Sequence, residues 1–258
     1  QDKLHGIRYQ ELTTITSGSG QGKSTFCRQL AVNLLTKGVR VGYLALEESN
    51  RRTALGLMST AVGKALHIGE HDREELEEDF HSTLANWNLY LFDGFGSFDP
   101  DVIYNRIEYL ASGLECRVIF LDHLSILLSG LEGDERRTID QTMTRLRSLV
   151  ERTGISLFLV SHLRRTGNDR TAHEEGGRVS LSQLRGSAGI AQLSDQVVAL
   201  ERNSQSDTER DITTLRIIKN RYSGETGFAG KIRFNLETSR FTDYETTGSP
   251  VFNPATDF

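Results

Sequence analysis

A glycine-rich run near the amino terminus constrains this chain more than any other feature. It consists of Ser17, Gly18, Ser19, Gly20, Gln21, Gly22, Lys23, Ser24 and Thr25. The run follows a β-like segment at 12–16 and precedes a helical pattern at 26–35, which is the strand–turn–helix context of a P-loop. Glycines let backbone N–H groups converge on phosphate oxygens, and the amino terminus of the helix adds a partial positive charge. The run therefore predicts a binding site for a nucleoside triphosphate.

Two residues of this run are expected to carry its chemistry. Lys23 is predicted to contact the β- and γ-phosphates, and the Ser24 hydroxyl is predicted to bind Mg²⁺. The run departs from the G-x-x-x-x-G-K-[ST] pattern at its first position, where Ser17 replaces glycine. Because that position requires a turn more than a bare backbone, we expect the serine to be tolerated. The alternative is a glycine-rich loop that binds nothing.

Length, charge and cysteine content favour one large α/β domain. The chain has 258 residues and a net charge of -5, so any contact with nucleic acid must be a local basic patch rather than a global basic field. The two cysteines, Cys27 and Cys116, are typical of buried free thiols in a reduced, cytoplasmic protein. No signal peptide is visible, and no apolar run reaches the roughly 18 residues that a membrane-spanning helix needs.

Two carboxylates follow the next predicted strand. The apolar segment 39–46 is predicted to be a buried strand, and Glu47 and Glu48 come directly after it. The carboxyl ends of parallel strands line the ligand crevice of open sheets. Because neighbouring side chains point to opposite sides, only one carboxylate can face the nucleotide and polarise the attacking water. The other is expected to cap the following helix, and the residues alone leave a solvated or capping role open for both.

A second motif ends in an acid. The segment 118–122 contains four apolar residues followed by Asp122, which is the Walker B pattern of a central strand. Such an aspartate holds Mg²⁺ beside the P-loop hydroxyl of Ser24. The pattern is weak alone, but after a P-loop it favours a metal-binding role over a simple acid at the end of a strand.

A further predicted strand, at 155–160, is followed by Ser161 and His162. At this end of a parallel sheet the imidazole can hydrogen-bond the γ-phosphate and respond to its loss. A histidine with an ordinary surface or core role is the alternative. Elsewhere the periodicity predicts helices at 51–86, 99–114 and 134–153, and strands at 89–92, 196–201, 212–219 and 231–235.

Two polar loops rich in arginine follow the predicted strand 155–160. Their candidate DNA-binding residues are Arg164, Arg165, Asn168, Arg170, Arg185, Gly186 and Ser187. Such loops suit contacts with a phosphate backbone without readout of bases. Two solvated loops are the alternative.

The carboxyl-terminal third contains a candidate arginine finger. Arg221 lies two residues beyond the predicted strand 212–219 and before a glycine-rich loop, where a ring ATPase can extend an arginine into its neighbour's site. The sequence physics leaves this assignment open. Residues 245–258 are acidic and predict a disordered tail, whose terminal Phe258 is either a partner contact or a frayed end. The predicted organisation is a linker at 1–11, an NTPase domain at 12–244 and the tail.

Taken together, these motifs resemble the DnaB-type replicative helicases. The resemblance is strongest to the helicase half of the bifunctional primase–helicase of short-tailed bacteriophages. It is carried by residues 17–25, 46–49, 121–123, 161–162, 172–176, 184–187, 199–203 and 219–221. It implies a RecA-like P-loop NTPase core with a mostly parallel sheet, flanking helices and antiparallel strands at the carboxyl-terminal edge. It also implies a homohexamer or heptamer that uses Mg²⁺ and an NTP, dTTP or ATP, to translocate 5′ to 3′ on single-stranded DNA and unwind duplex at a replication fork.

The resemblance also implies residue roles in hydrolysis. Glu47 is expected to be the catalytic base, Asp122 the Mg²⁺-binding acid and His162 the phosphate sensor. Gln192 is expected to couple that sensing to the DNA loops. Arg221 is expected to act on the nucleotide of the neighbouring subunit.

Further expectations concern the nucleotide base and the partners. Arg202 is a possible second nucleotide contact, and Phe234 is expected to stack on the base. The resemblance implies that the acidic tail contacts the replicative DNA polymerase. A full-length chain that also contains a primase domain and a helicase-only protein are both left open, and the expected location is the cytoplasm, that of the host cell if the chain is phage-encoded. The alternatives are a RecA- or RadA-like recombinase ATPase that forms filaments on DNA and a nucleotide-gated DNA clamp or scaffold that does not unwind.

Overall fold

In the described residues, one sheet of nine strands organises the fold. The structure is a computed structural model that describes residues 2–92, 94, 99–129, 135–163, 175–184 and 188–244. The strands are β1 (Leu12–Ser17), β2 (Val41–Ala45), β3 (Leu89–Leu91), β4 (Val118–Asp122), β5 (Ser156–His162), β6 (Gln196–Arg202), β7 (Ile212–Asn220), β8 (Gly227–Asn235) and β9 (Arg240–Asp243). Their order across the sheet is β3-β2-β4-β5-β1-β6-β7-β8-β9.

Strand direction divides this sheet in two. The six strands β1 to β6 pair in parallel, and β7, β8 and β9 extend the sheet with antiparallel pairs. The predicted mostly parallel sheet with antiparallel strands at the carboxyl-terminal edge is confirmed. The short strand β9 was not predicted.

Helices cover both faces of the sheet. They are α1 (Lys23–Leu35), α2 (Asn50–Val62), α3 (Arg73–Ser82), α4 (Pro100–Ser112), α5 (Leu124–Ser129), α6 (Glu135–Thr153) and α7 (Ala188–Leu193). Most of the stretch 51–86 is helical, as predicted, but it is interrupted between α2 and α3. Gly63 ends α2 with a left-handed φ of 76°, and the Asp72 carboxylate begins α3 by accepting the Glu74 N–H. The short helices α5 and α7 were not predicted.

Two hydrophobic clusters hold these layers together. One cluster packs α4, α5, α6 and α7 on one face of the sheet, and it includes the apolar stripe of α6 formed by Ile139, Met143, Leu146 and Val150. The other packs α1 and α2 on the opposite face. The two cysteines are free and buried, as predicted. Among the described residues, no helix is both long and apolar enough to cross a membrane.

Candidate nucleotide-binding site

The P-loop joins the carboxyl end of β1 to the amino terminus of α1. Gly20 and Gly22 have left-handed φ values of 68° and 89°, a conformation that glycine adopts without a steric penalty. Helix α1 begins directly after Gly22, so its first N–H groups lack partners within the helix. The sequence motif therefore folds into a turn whose backbone donors and helix terminus suit phosphate oxygens.

Lys23 is buried and held by the start of the same loop. Its Nζ donates to Ser17 Oγ at 3.0 Å, to the Ser17 carbonyl at 3.3 Å and to the Gly18 carbonyl at 2.8 Å. Burial lowers the pKa of Lys23 from 10.5 to about 8, although the nearby carboxylates Asp122 and Glu47 oppose this shift. The serine in place of glycine thus supplies an additional acceptor for the lysine.

Asp122 lies at the carboxyl end of β4, buried beside the P-loop. Burial raises the pKa of its carboxyl group, while a hydrogen bond from the Ser24 hydroxyl opposes that shift. The Asp122 Oδ1 atom is buried and accepts no hydrogen bond from the described part of the chain. A buried carboxylate oxygen without a donor, next to a serine hydroxyl, is a donor set that fits a hard divalent cation such as Mg²⁺.

A cavity of 440 Å³ joins these groups to the second strand. Its polar lining comes from Ser24, Glu47, Glu48, Arg52 and Asp122. The register explains this meeting, because Ala45 of β2 pairs with Asp122 of β4. Carboxylates from two neighbouring strands therefore face the P-loop hydroxyl across one cavity, whose volume is typical of small-molecule sites.

The two adjacent carboxylates have different surroundings. Glu47 lies at the cavity with its side chain 53% exposed. Glu48 is more buried: it forms an ion pair with Arg28 at 2.5 Å and accepts the Thr53 hydroxyl at 2.8 Å. The prediction that the second carboxylate caps the following helix is wrong. Ser49 is the N-cap of α2, because its short side chain reaches the Arg52 N–H while Glu48 is held by Arg28.

Two histidines lie at the same edge of the sheet. His162 ends β5 and pairs in register with Ser17 at the start of the P-loop. The His123 ring packs edge-on against the His162 ring, with 4.3 Å between their centroids. His123 Nε2 is 2.6 Å from Glu47 Oε1, although the two groups are not aligned as a hydrogen bond. Sequence reasoning assigned no role to His123, even though it directly follows the Walker B acid.

Arg221 lies at the opposite edge of the sheet. Asn220, which ends β7, pairs with Gln196 at the start of β6, and Gln196 pairs with Thr13 near the start of β1. The Arg221 N–H donates to the Asp195 carbonyl and the Asp195 N–H to the Leu12 carbonyl, so Arg221 is level with Leu12. Five residue steps separate Leu12 from Ser17, so at about 3.3 Å per step the two edges are about 17 Å apart along β1. The Arg221 guanidinium donates to Asp195 Oδ1 at 3.1 Å and to the Gln192 carbonyl at 2.8 Å.

Helix α7 is held by the same strand end. Lys219 Nζ donates to the carbonyls of Ala191, Gln192 and Ser194 at 2.6, 2.9 and 2.6 Å. The described contacts of Gln192 therefore pass through its main chain to Lys219 and Arg221. Sequence reasoning missed both Lys219 and Asp195, since their contacts join segments that are far apart in the chain.

The segment before β1 contacts the turn that carries Arg221. Asn220 Nδ2 donates to the Lys3 carbonyl at 2.9 Å. The Arg8 guanidinium lies over the Tyr222 ring at 3.9 Å, which is the geometry of a cation–π contact. Residues 3–8 therefore pack on the edge of the sheet that is remote from the P-loop.

Aromatic residues of β8 and β9 also lie near the P-loop. Phe234 of β8 packs against Phe241 of β9, with 5.1 Å between ring centroids. Phe241 Cζ and Arg202 Nη1 approach Gly22 and would lie 3.6 and 4.0 Å from a Cβ at that position. Gln21 Nε2 donates to the Arg202 carbonyl at 3.1 Å. Arg202 and Phe234 are therefore near the loop, and Phe241 is a neighbour that sequence reasoning missed.

Some predicted residues are outside the described part of the chain. They are the DNA-contact candidates Arg164, Arg165, Asn168, Arg170, Arg185, Gly186 and Ser187, and the tail 245–258 with its terminal Phe258. The described segments that flank them are β5 with Leu163, residues 175–184, and α7. Both loops thus connect to elements at the candidate site or at Arg221.

Comparison with known proteins identifies the family. Residues 1–243 match the DnaB-like helicase C terminal domain. The chain belongs to this family. It is 37% identical over 255 residues to a DNA helicase/primase of Enterobacteria phage T3, covering 96% of this chain and 45% of that protein. It is also 27% identical over 227 residues to a probable plasmid replicative DNA helicase of Chlamydia trachomatis, covering 86% of this chain and 48% of that protein.

The DnaB-like chain thus spans about half the length of the curated relatives it matches. Two solved structures share its fold. One, described as an ATPase domain, superposes with a TM-score of 0.75 at 21% identity, covering 92% of this chain and 85% of that one. A DnaB-like replicative helicase studied with primase superposes with a TM-score of 0.79 at 21% identity, covering 93% and 60%. The resemblance and the fold predicted from the sequence are confirmed.

Proposed function

We propose that the chain is the NTP-hydrolysing motor of a ring-shaped replicative DNA helicase, which moves 5′ to 3′ along single-stranded DNA and unwinds duplex. One observation carries this proposal: the nucleotide cavity and Arg221 occupy opposite edges of one sheet, about 17 Å apart. An arginine so placed is remote from the phosphates of its own chain. A second subunit is therefore needed to complete each hydrolytic site.

The substrate of this site is an NTP, with dTTP and ATP as the candidates. Lys23 holds the terminal phosphates, and the P-loop N–H groups bind their oxygens. Ser24 and Asp122 would hold Mg²⁺, which when bound neutralises charge on the β- and γ-phosphates. On the base side, Arg202 and Phe234 contact the nucleotide.

Glu47 is the proposed general base. Its carboxylate is half exposed at the cavity that Ser24 and Asp122 line, so it is free to accept a proton from a water that attacks the γ-phosphorus. Glu48 is tied to Arg28 and Thr53 and is not available for this role. The difference in surroundings supports the assignment of Glu47 rather than its neighbour.

The proposed roles in phosphate sensing and DNA movement follow from the order of β5, the two arginine-rich loops and α7 along the chain. His162, level with the P-loop, is proposed to sense the γ-phosphate and to move the loop that begins after it. The DNA contacts are proposed for the arginine-rich residues at 164–170 and 185–187. Gln192 is proposed to couple this sensing to the DNA loops, and its carbonyl accepts a hydrogen bond from the Arg221 guanidinium.

The proposed partners are single-stranded DNA and further copies of this chain in a hexamer or heptamer. A primase domain in the full-length chain is proposed because the phage T3 relative is named a helicase/primase. Polymerase binding by the acidic tail, the division into linker, motor and tail, and a cytoplasmic location in an infected host are proposed on the same resemblance.

The test is steady-state NTP hydrolysis at several protein concentrations, with single-stranded DNA, duplex DNA or none. We expect stimulation by single strands and a rate that rises faster than linearly with protein. Strand displacement on a forked duplex then separates a motor from a clamp, and electron microscopy separates rings from recombinase filaments. Hydrolysis that is independent of DNA and stays linear with protein down to concentrations at which the chain is monomeric would contradict the shared site.

A further inference from the structure

His123 lies between two groups of the candidate site and has no part in the mechanism above. Its side chain is 5% exposed, directly after Asp122. One side of the ring packs on His162, and its Nε2 atom lies 2.6 Å from Glu47 Oε1. A buried ring that touches both the proposed base and the proposed sensor is placed to fix their positions.

The hydrogen bonding of this ring defines its tautomer. The backbone N–H of Ser125 donates to His123 Nδ1 at 3.1 Å. An imidazole nitrogen that accepts a hydrogen bond carries a lone pair, so in the neutral ring the proton is on Nε2. The Nε2–H group is therefore a donor at the atom that lies nearest to the Glu47 carboxylate.

We propose that His123 is a positioning residue, whose Nε2–H anchors one oxygen of Glu47 and leaves the other for the attacking water. This inference rests on the proposed role of Glu47 as general base. In the structure the donor is not aligned on Glu47 Oε1, but the half-exposed glutamate has the side-chain freedom to complete the bond. The histidine itself is held by Ser125 and His162, so the glutamate is the partner that adjusts.

The same three side chains raise a rival explanation. Glu47, His123 and His162 each offer a ligand atom, and these atoms lie within 4.8 Å of one another, as in a transition-metal site. Coordination through His123 Nε2 requires that nitrogen to lose its proton to Nδ1. The proton would then oppose the Ser125 N–H, so the observed hydrogen bond favours the donor role over metal ligation.

The test compares three variants of this position. His123→Phe keeps a buried ring without a donor, His123→Gln places an amide donor near the position of Nε2, and His123→Asn has a shorter reach. We expect His123→Phe to lower kcat by about 10- to 100-fold, as for a misplaced catalytic group, with KM for NTP changed less than about threefold. His123→Gln should recover most of that loss and His123→Asn should not.

A double-mutant cycle shows whether the effect passes through the base. Glu47→Asp draws the carboxylate away from His123, so adding His123→Phe to it should cost little more. Full additivity, or normal kcat in His123→Phe, would overturn the positioning role. If Glu47→Gln itself hydrolyses NTP normally, the failure lies with the proposed base instead.

Zinc titration distinguishes the rival. Calorimetry with Zn²⁺ and nucleotide-free protein should show no site that His123→Phe abolishes. A micromolar or tighter zinc site that disappears in His123→Phe, while binding in His123→Gln is also lost, would show that this ring is a metal ligand. Circular dichroism of each variant confirms that the fold is retained.

Discussion

The P-loop edge of the sheet and the edge that carries Arg221 differ in the hydrogen-bond partners of their charged groups. At the P-loop edge, Asp122 has a buried oxygen with no hydrogen-bond donor among the described residues, and burial shifts the pKa values of both Asp122 and Lys23. At the other edge, Arg221 already has partners within its own chain, Asp195 and the Gln192 carbonyl. Lys23 at the P-loop edge also has partners within its own chain, the Ser17 hydroxyl and the Ser17 and Gly18 carbonyls. In the proposed shared site, Lys23 and Arg221 would therefore both exchange existing bonds, whereas the Asp122 oxygen has no donor to exchange in the described part of the chain.

The largest predicted effect tests whether the two edges belong to one site in different subunits. Lys23→Ala and Arg221→Ala should each reduce hydrolysis by about 10³-fold or more, but only Lys23→Ala should lose nucleotide affinity. Mixed together, the two inactive variants should regain activity, because some interfaces pair an intact P-loop with an intact arginine. Phosphate release measured against mixing ratio checks this.

No recovery on mixing, with co-assembly shown by crosslinking, would contradict action in trans. A matched control is Arg233→Ala, which removes an arginine that pairs with Asp211 in the same antiparallel part of the sheet. This variant should remain active when assayed alone.

The second prediction separates stability from activity at the P-loop edge. Asp122→Asn should lower hydrolysis by about 10²-fold or more, since the amide loses the charge that attracts Mg²⁺. It should also raise the Tm of the nucleotide-free protein by about 2 °C or more, because ionisation of a buried carboxyl group is unfavourable. Calorimetric scans at pH 7 check the sign.

The sign follows from the direction of the pKa shift. Burial raises the Asp122 pKa in the folded state, so the cost of ionisation is absent at acidic pH and grows as pH rises through the unfolded and then the folded pKa. The Tm difference between Asp122→Asn and the parent chain should therefore shrink at low pH. A lower Tm for the variant at pH 7 would show that Asp122 has stabilising partners.

The third prediction concerns pH and Lys23. With a pKa of about 8 in the free protein, Lys23 loses its positive charge in mildly alkaline solution. When an NTP is bound, its negative phosphates keep the Lys23 amine protonated. The dissociation constant for an NTP should therefore rise about tenfold between pH 7 and pH 9. Calorimetry in Lys23→Arg, whose guanidinium stays charged, should show a weaker dependence; equal slopes would exclude Lys23 as the titrating group.

The same contrast explains what the sequence revealed. The P-loop, the Walker B acid and His162 are contiguous signals at strand ends, so their meeting at one edge was predictable from a parallel sheet. Asp195 and Lys219 have no such signal, because their roles arise from the antiparallel pairing of β6 with β7. Phe241 reaches the P-loop through β9, a four-residue strand too short for a periodic pattern.

The sequence predictions of helix boundaries and caps were wrong where competing interactions determine the local structure. The whole stretch 51–86 was predicted to be helical, but Gly63 ends α2 and Asp72 precedes the start of α3. Glu48 was expected to cap α2, yet Arg28 attracts it and Ser49 is the cap. These outcomes depend on tertiary contacts that a one-dimensional pattern does not contain.

The smallest predicted effect concerns the bonds that restrain Arg221. Asp195 is buried, and its Oδ2 also accepts the Leu12 N–H at 2.9 Å, a contact that Asp195→Asn can keep through its amide oxygen. The variant loses the hydrogen bond and the charge attraction to Arg221 and the charge attraction to Arg147, whose Nε lies 3.7 Å from Asp195 Oδ2, so stability should fall by about 1–2 kcal/mol in urea unfolding. Because Arg221 is then less strongly held within its own chain, half-maximal hydrolysis should occur at a protein concentration lower by a few-fold. The control Asp211→Asn removes a similar charge from the exposed pair with Arg233 and should leave that concentration unchanged. A higher concentration requirement in Asp195→Asn would mean instead that Asp195 presents Arg221 to the neighbour, and the two edges would then both be preorganised.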